Sequence, residues 1–253
     1  MATVSVATWE ALTTAVNSAT EDTTVELTSD IDMNDELPTG VTTKVRNPSY
    51  KVIINGNGHK IKNLYCTIPS SSGGLLGSAS SSNPMEINNL DFENVYVANS
   101  AQLCSSVNWY NCSFSAQLEN SQIGSGKFYY CGLTVTGFGT SYLAYGSSNA
   151  TFYFCNIEVN GEFANLSCVF NDTYIKGNCT VGASYVVGRL AIINATISFT
   201  GDVTSYGTTR LVLYNSDTIT VPSDKTISAY FIPCTTAELM SPSALRAKSF
   251  PLW

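Results

Sequence analysis

Residues 127–137 read KFYYCGLTVTG and residues 151–161 read TFYFCNIEVNG. Two near-copies of eleven residues, each built around a cysteine, restrict the fold more than any other feature of the 253-residue chain. Extending the alignment in both directions finds weaker copies anchored at Leu64, Leu90, Cys112, Cys131, Cys155, Cys179, Ala195 and Ser216. Successive anchors lie 26, 22, 19, 24, 24, 16 and 21 residues apart, which fits the coils of a solenoid joined by loops of variable length.

The columns of the alignment behave as short strands. Two residues after the anchors stand Cys66, Phe92, Phe114, Leu133, Ile157, Val181, Ile197 and Thr218, all but the last apolar. The residues between are mostly polar, so the pattern has period two, with apolar side chains in and polar ones out. Three residues before the anchor come Ile87, Trp109, Phe128, Phe152, Lys176, Ile192 and Leu213, again mostly apolar but of opposite parity. A strand changes faces only at a bend. Asn stands there in six of eight rungs, at Asn63, Asn89, Asn111, Asn178, Asn194 and Asn215. Asn tolerates the left-handed backbone of a one-residue corner.

An asparagine corner, short parallel strands and variable loops resemble the right-handed parallel β-helix of the pectate-lyase-like superfamily. The opening of the chain is similar too. TWEALTTAV at 8–16 spaces Trp9, Leu12 and Val16 on one face of a short helix behind a Thr8 N-cap, and KVIINGNGHKIKNL follows. The resemblance covers about residues 8–222. It implies an all-β chain: one parallel β-helix over 23–222, an N-terminal arm and capping helix over 1–22, and a C-terminal cap and tail with short helices over 223–253. It says little of activity, because this fold hosts lyases, hydrolases, adhesins and phage spikes.

Three readings compete for the cysteines: disulfide halves, metal ligands, or one column of a stack. The alignment places Cys112, Cys131, Cys155 and Cys179 inward on consecutive rungs. Stacked β-carbons about 4.8 Å apart, with parallel vectors, suit a disulfide poorly. No C-x-x-C pair exists and His59 is the single histidine, so zinc-site spacing is missing. The stack is favoured, and Cys104, Cys168 and Cys234 stay unassigned, paired or free.

Composition removes other classes. With a net charge of −7 and only twelve Lys and Arg, the chain lacks the basic face that nucleic acid requires. No apolar run is long enough to span a bilayer, and the first residues lack the pattern of a secretory signal. Six N-x-S/T sequons reflect an Asn-, Ser- and Thr-rich composition rather than glycosylation.

Candidate sites are few. Asp91 and Glu93 form the best carboxylate pair, about 7 Å apart on one strand face, but no Lys or Arg is expected in the matching columns. A solvated strand face is the favoured reading, and His59 reads as a turn residue. No catalytic residue, metal or cofactor is assigned. Tyr110, Tyr129 and Tyr153, with Tyr214 further on, line up on the outside as a ladder that could contact a glycan or another subunit. At the end of the chain, Phe250, Leu252 and Trp253 follow Arg246 and Lys248 and read as a docking tail. With the resemblance to phage head-fibre, tail-spike and decoration proteins, these features imply a non-enzymatic virion structural protein. It would be made in the host cytoplasm and carried on the virion. Expected partners are other virion proteins, further copies of itself (a trimer among the options) and a host-surface glycan, with no nucleic acid and no membrane. The alternatives are a β-helix polysaccharide lyase or hydrolase, or a bacterial surface adhesin.

Overall fold

A computed structural model describes residues 1–36, 40–47, 49–70, 73–78, 84–144, 150–165, 168–205, 212–227, 231–241 and 243–244. The expected docking residues Arg246, Lys248, Phe250, Leu252 and Trp253 lie outside the described residues. The chain is an all-β parallel solenoid, and every strand-to-strand pairing among the described residues is parallel. It begins one rung earlier than the sequence suggests. Strand β1 (Ala2–Val6) pairs in register with strand β2 (Thr23–Leu27), and helix α1 (Trp9–Asn17) bridges them. The Thr8 hydroxyl accepts from the Ala11 N–H to cap α1, and Trp9, Leu12 and Val16 are buried, as their spacing predicts.

The core is a set of columns along the solenoid axis. One runs Val25, Ile54, Ile87, Trp109, Phe128, Phe152 and Phe170, and all seven are buried. Its aromatic members stack, with Phe128 and Phe152 centroids 4.7 Å apart. The next inward column runs Ile61, Phe92, Phe114, Leu133, Ile157 and Ile175. Each such side chain buried contributes about 1.5–3 kcal/mol, which holds a stack of short strands together.

The register corrects the sequence alignment at four points. Phe170, not Lys176, continues the column of Phe152; Lys176 points outward opposite Glu158. Thr173 occupies the place expected for Cys179, which instead pairs with Gly161 in a different column. Asn63 belongs to a second corner, aligned with Asn94, so Leu64 does not share a column with Leu90. In the last coils the parity reverses: Tyr214 packs partly buried on the main core, while Leu213 and Ile192 face a second cluster that includes Cys234 and Leu239. Here α2 is the short helix Met33–Glu36 and α3 is Thr236–Leu239, closed by a Thr235–Glu238 capping box.

The corners differ as well. Asn63, Asn89, Asn94 and Asn111 adopt the left-handed conformation with φ of 50–58°, and Asn111 donates its amide to Asn89 at 2.8 Å. Asn178 pairs within a strand opposite Asn160. Asn215 donates to Asn194 at 2.8 Å, so that ladder forms where neither residue has a positive φ.

Candidate functional site

The corner between the two inward columns carries three kinds of side chain. Just before it, Asn88, Tyr110, Tyr129, Tyr153 and Asn171 share one outward register position. The rings of Tyr110, Tyr129 and Tyr153 stack at 4.8 and 4.7 Å with planes within 5° of parallel. The expected ladder therefore forms, without Tyr214. Both faces of Tyr129 are occupied by its neighbours, so the ladder presents ring edges and hydroxyls rather than faces.

At the corner itself stand Asn89, Asn111, Tyr130, Phe154 and Asp172, all left-handed. Asn and Asp suit that backbone; Tyr and Phe do not, and each bulky residue there costs about 1–2 kcal/mol. Tyr130 and Phe154 nevertheless lie 64% and 51% exposed, with rings stacked at 5.3 Å and 9°. The alignment passed over both. Their signal was present in the duplicated eleven residues, where Tyr and Phe stand at the position that other rungs fill with Asn.

Just after the corner comes the cysteine column. The Cys112 thiol donates to the Ile87 and Tyr110 carbonyls, and Cys131 to those of Trp109 and Tyr129. Cys155 donates to Phe128 and Tyr153, and the Thr173 hydroxyl to Phe152 and Asn171. The position selects a small side chain with one donor, able to reach the carbonyl two residues back and another one coil below. None of the eight cysteines, Cys104, Cys168 and Cys234 included, forms a disulfide, and all eight are buried. The Cys112 thiol and burial push Cys131 up to about 12, and burial does the same to Cys104 and Cys179. Among the described residues no group of three or more His, Cys, Asp or Glu side chains is placed to hold a metal ion.

Beyond the cysteines, the outward strand face forms a shallow groove floored by Ser113, Ser115, Gly132, Thr134 and Asn156. Here a second expectation fails, because Lys60 and Lys62 do occupy the columns of Asp91 and Glu93. Lys60 pairs with Glu93 at 2.8 Å, and Ser113 donates to Asp91 at 2.6 Å. Lys60 lowers the pKa of Glu93, opposite to the shift that proton donation at neutral pH demands. Lys176 likewise pairs with Glu158 at 2.9 Å and lowers its pKa. The acids are tied to surface lysines, as a solvated strand face would have them. His59 sits in the turn after Gly58 with Nδ1 3.4 Å from Asp30.

A family model described as a pectate lyase-like adhesive domain matches residues 3–175, which contain the whole aromatic corner. No curated protein and no solved structure matches the chain. No helix among the described residues is long and apolar enough to cross a membrane.

Proposed function

The chain belongs to the pectate lyase-like adhesive domain family, and on that premise we propose that it is a non-enzymatic, adhesin-like solenoid that grips a surface glycan at its aromatic corner. The family is described as adhesive rather than catalytic, in keeping with the lysine-paired acids of the groove. One observation carries the reading: Tyr130 and Phe154 are exposed in a conformation that neither favours. Strain of this kind persists where something other than stability maintains it. The exposed rings offer apolar surface for the C–H face of a pyranose. Asn111 and Asp172 flank them in the same corner column and supply groups for sugar hydroxyls. Tyr110, Tyr129 and Tyr153 border the site with ring edges and hydroxyls.

The corner itself supplies the test. Asn is the residue that neighbouring rungs use there, so Tyr130→Asn with Phe154→Asn should fold at least as well as the parent. Its glycan binding, read on an array or by adhesion to coated surfaces, should fall by about tenfold or more, in line with the loss of central aromatic contacts. Unchanged binding would remove the corner from the function.

A finer reading makes the chain a bacteriophage virion structural protein: a head fibre, capsid decoration or tail-spike module. It would be joined to other virion proteins and to further copies of itself, a trimer among the options. The neutral Ser-, Thr- and Asn-rich surface and the apolar run Phe250, Leu252 and Trp253 favour it. In that reading 23–222 forms the presented surface and 223–253 the attachment. Mass spectrometry of purified particles tests it, and absence of the chain from them would rule it out.

A further inference from the structure

The two ends of the chain are opposite in charge. Residues 1–36 hold eight acidic side chains and no lysine or arginine; residues 245–253 hold Arg246 and Lys248 and no acid. The acidic end is also an open strand edge. Among the described residues β1 pairs with β2 alone, so its other edge keeps unused N–H and C=O groups. That edge reads Ala-Thr-Val-Ser-Val, with two valines and a threonine and no charge or proline, and Val4 is exposed. Natural edges are usually blunted by such residues, and an edge without them is a template for another strand. Beside it lies an open trough of about 640 Å³ between β1 and α1. Its walls include the small side chains of Ala11 and Ala15 together with Glu10 and Glu21.

We propose that the C-terminal segment 245–253 of one copy docks in the β1–α1 trough of a second copy. It adds to the free edge of β1 and sets Arg246 and Lys248 against Glu10 and Glu21. The small walls leave room for Phe250, Leu252 and Trp253, the bulky apolar side chains near the end of the segment. The two ends of the solenoid lie far apart along its axis. Seven parallel steps separate Val4 from Phe170 and two more separate Ile192 from Ile232. At about 4.8 Å a step the ends are at least about 43 Å apart. The proposed contact between copies is head to tail. A heterologous contact of this kind builds rings or filaments rather than stopping at a two-fold dimer. This inference is independent of what the aromatic corner binds.

Sedimentation of the full chain over a wide concentration range should show a mass that rises with concentration and falls with added salt. The chain ending at residue 244 should stay monomeric, and a peptide of residues 243–253 should bind it. Val4→Lys should block the edge without altering the fold. Glu10→Lys with Glu21→Lys, or Arg246→Glu with Lys248→Glu, should each weaken association by about tenfold or more at low salt. Mixing the two charge-reversed chains should restore it, because the acidic tail then meets a basic trough. Glu10 and Glu21 are exposed, so these variants keep the test open if the truncated chain fails to fold. A full chain that remains monomeric throughout overturns the proposal. So does a truncated chain that associates as well as the parent, which would indicate pairing of β1 with β1, and so does failure of the mixed variants to recover.

Discussion

The cysteine column and the aromatic corner are one residue apart in sequence, yet they answer to different demands. In Cys112, Cys131, Cys155 and Thr173 every rung meets the same structural need, a small buried side chain with one donor for two carbonyls. In Asn111, Tyr130, Phe154 and Asp172 the need is a residue that tolerates a left-handed backbone, and only the first and last meet it. Cys and Thr differ chemically but satisfy one rule, so their conservation of role points to architecture. Tyr and Phe break the rule of their own column and expose their rings as well. That contrast is what directs attention to the corner as the functional surface and away from the thiols.

The comparison can be strained hardest with alkali. Burial holds Cys66 at about 11 and both Cys104 and Cys179 at about 12, while the Cys112 thiol and burial hold Cys131 at about 12, all against an ordinary 9.0. Folded-state values above the unfolded value leave stability intact below pH 9 and remove it as pH climbs through 9 to 12, where only the unfolded chain ionises. Denaturant midpoints should therefore drop steeply across that window, and Cys131→Thr should make the drop shallower. A midpoint indifferent to pH up to 11 would mean that the thiols are not sealed inside.

Next in size is the aromatic core behind the corner. Phe152→Ala should cost about 3–5 kcal/mol of unfolding free energy, whereas Lys176→Ala should fall within about 0.5 kcal/mol of the parent because its ion pair is exposed. Equal losses would restore Lys176 to the core column and undo the register. Smaller again is the donor requirement. Cys155→Thr and Cys155→Val are nearly the same shape, but only Thr can donate to Phe128 and Tyr153. Thr should be the more stable of the two by about 1 kcal/mol, and parity between them would reduce the column to a matter of size. The smallest effect is a null change: reductant should leave the melting temperature where it is, since no cysteine is in a disulfide.

Much of this molecule was legible before the structure. Period-two alternation told which residues face inward, and Leu64, Leu90, Cys112, Cys131, Cys155 and Cys179 are all buried as expected. Those six nevertheless do not form one column. Cys179 sits six positions beyond Thr173, an even displacement that keeps the same face of the chain while changing the neighbour above and below. Sequence periodicity therefore determined the solenoid, the inside and outside of most strands before the last coils, and the helix behind Thr8. Which coil stacks on which, and hence that Phe170 follows Phe152, that Lys60 meets Glu93 and that Tyr130 lies over Phe154, depends on loop lengths that vary from coil to coil. Only the parallel pairing of the folded chain decided those contacts, because a strand carries its facing in its own residues but takes its register from its partners.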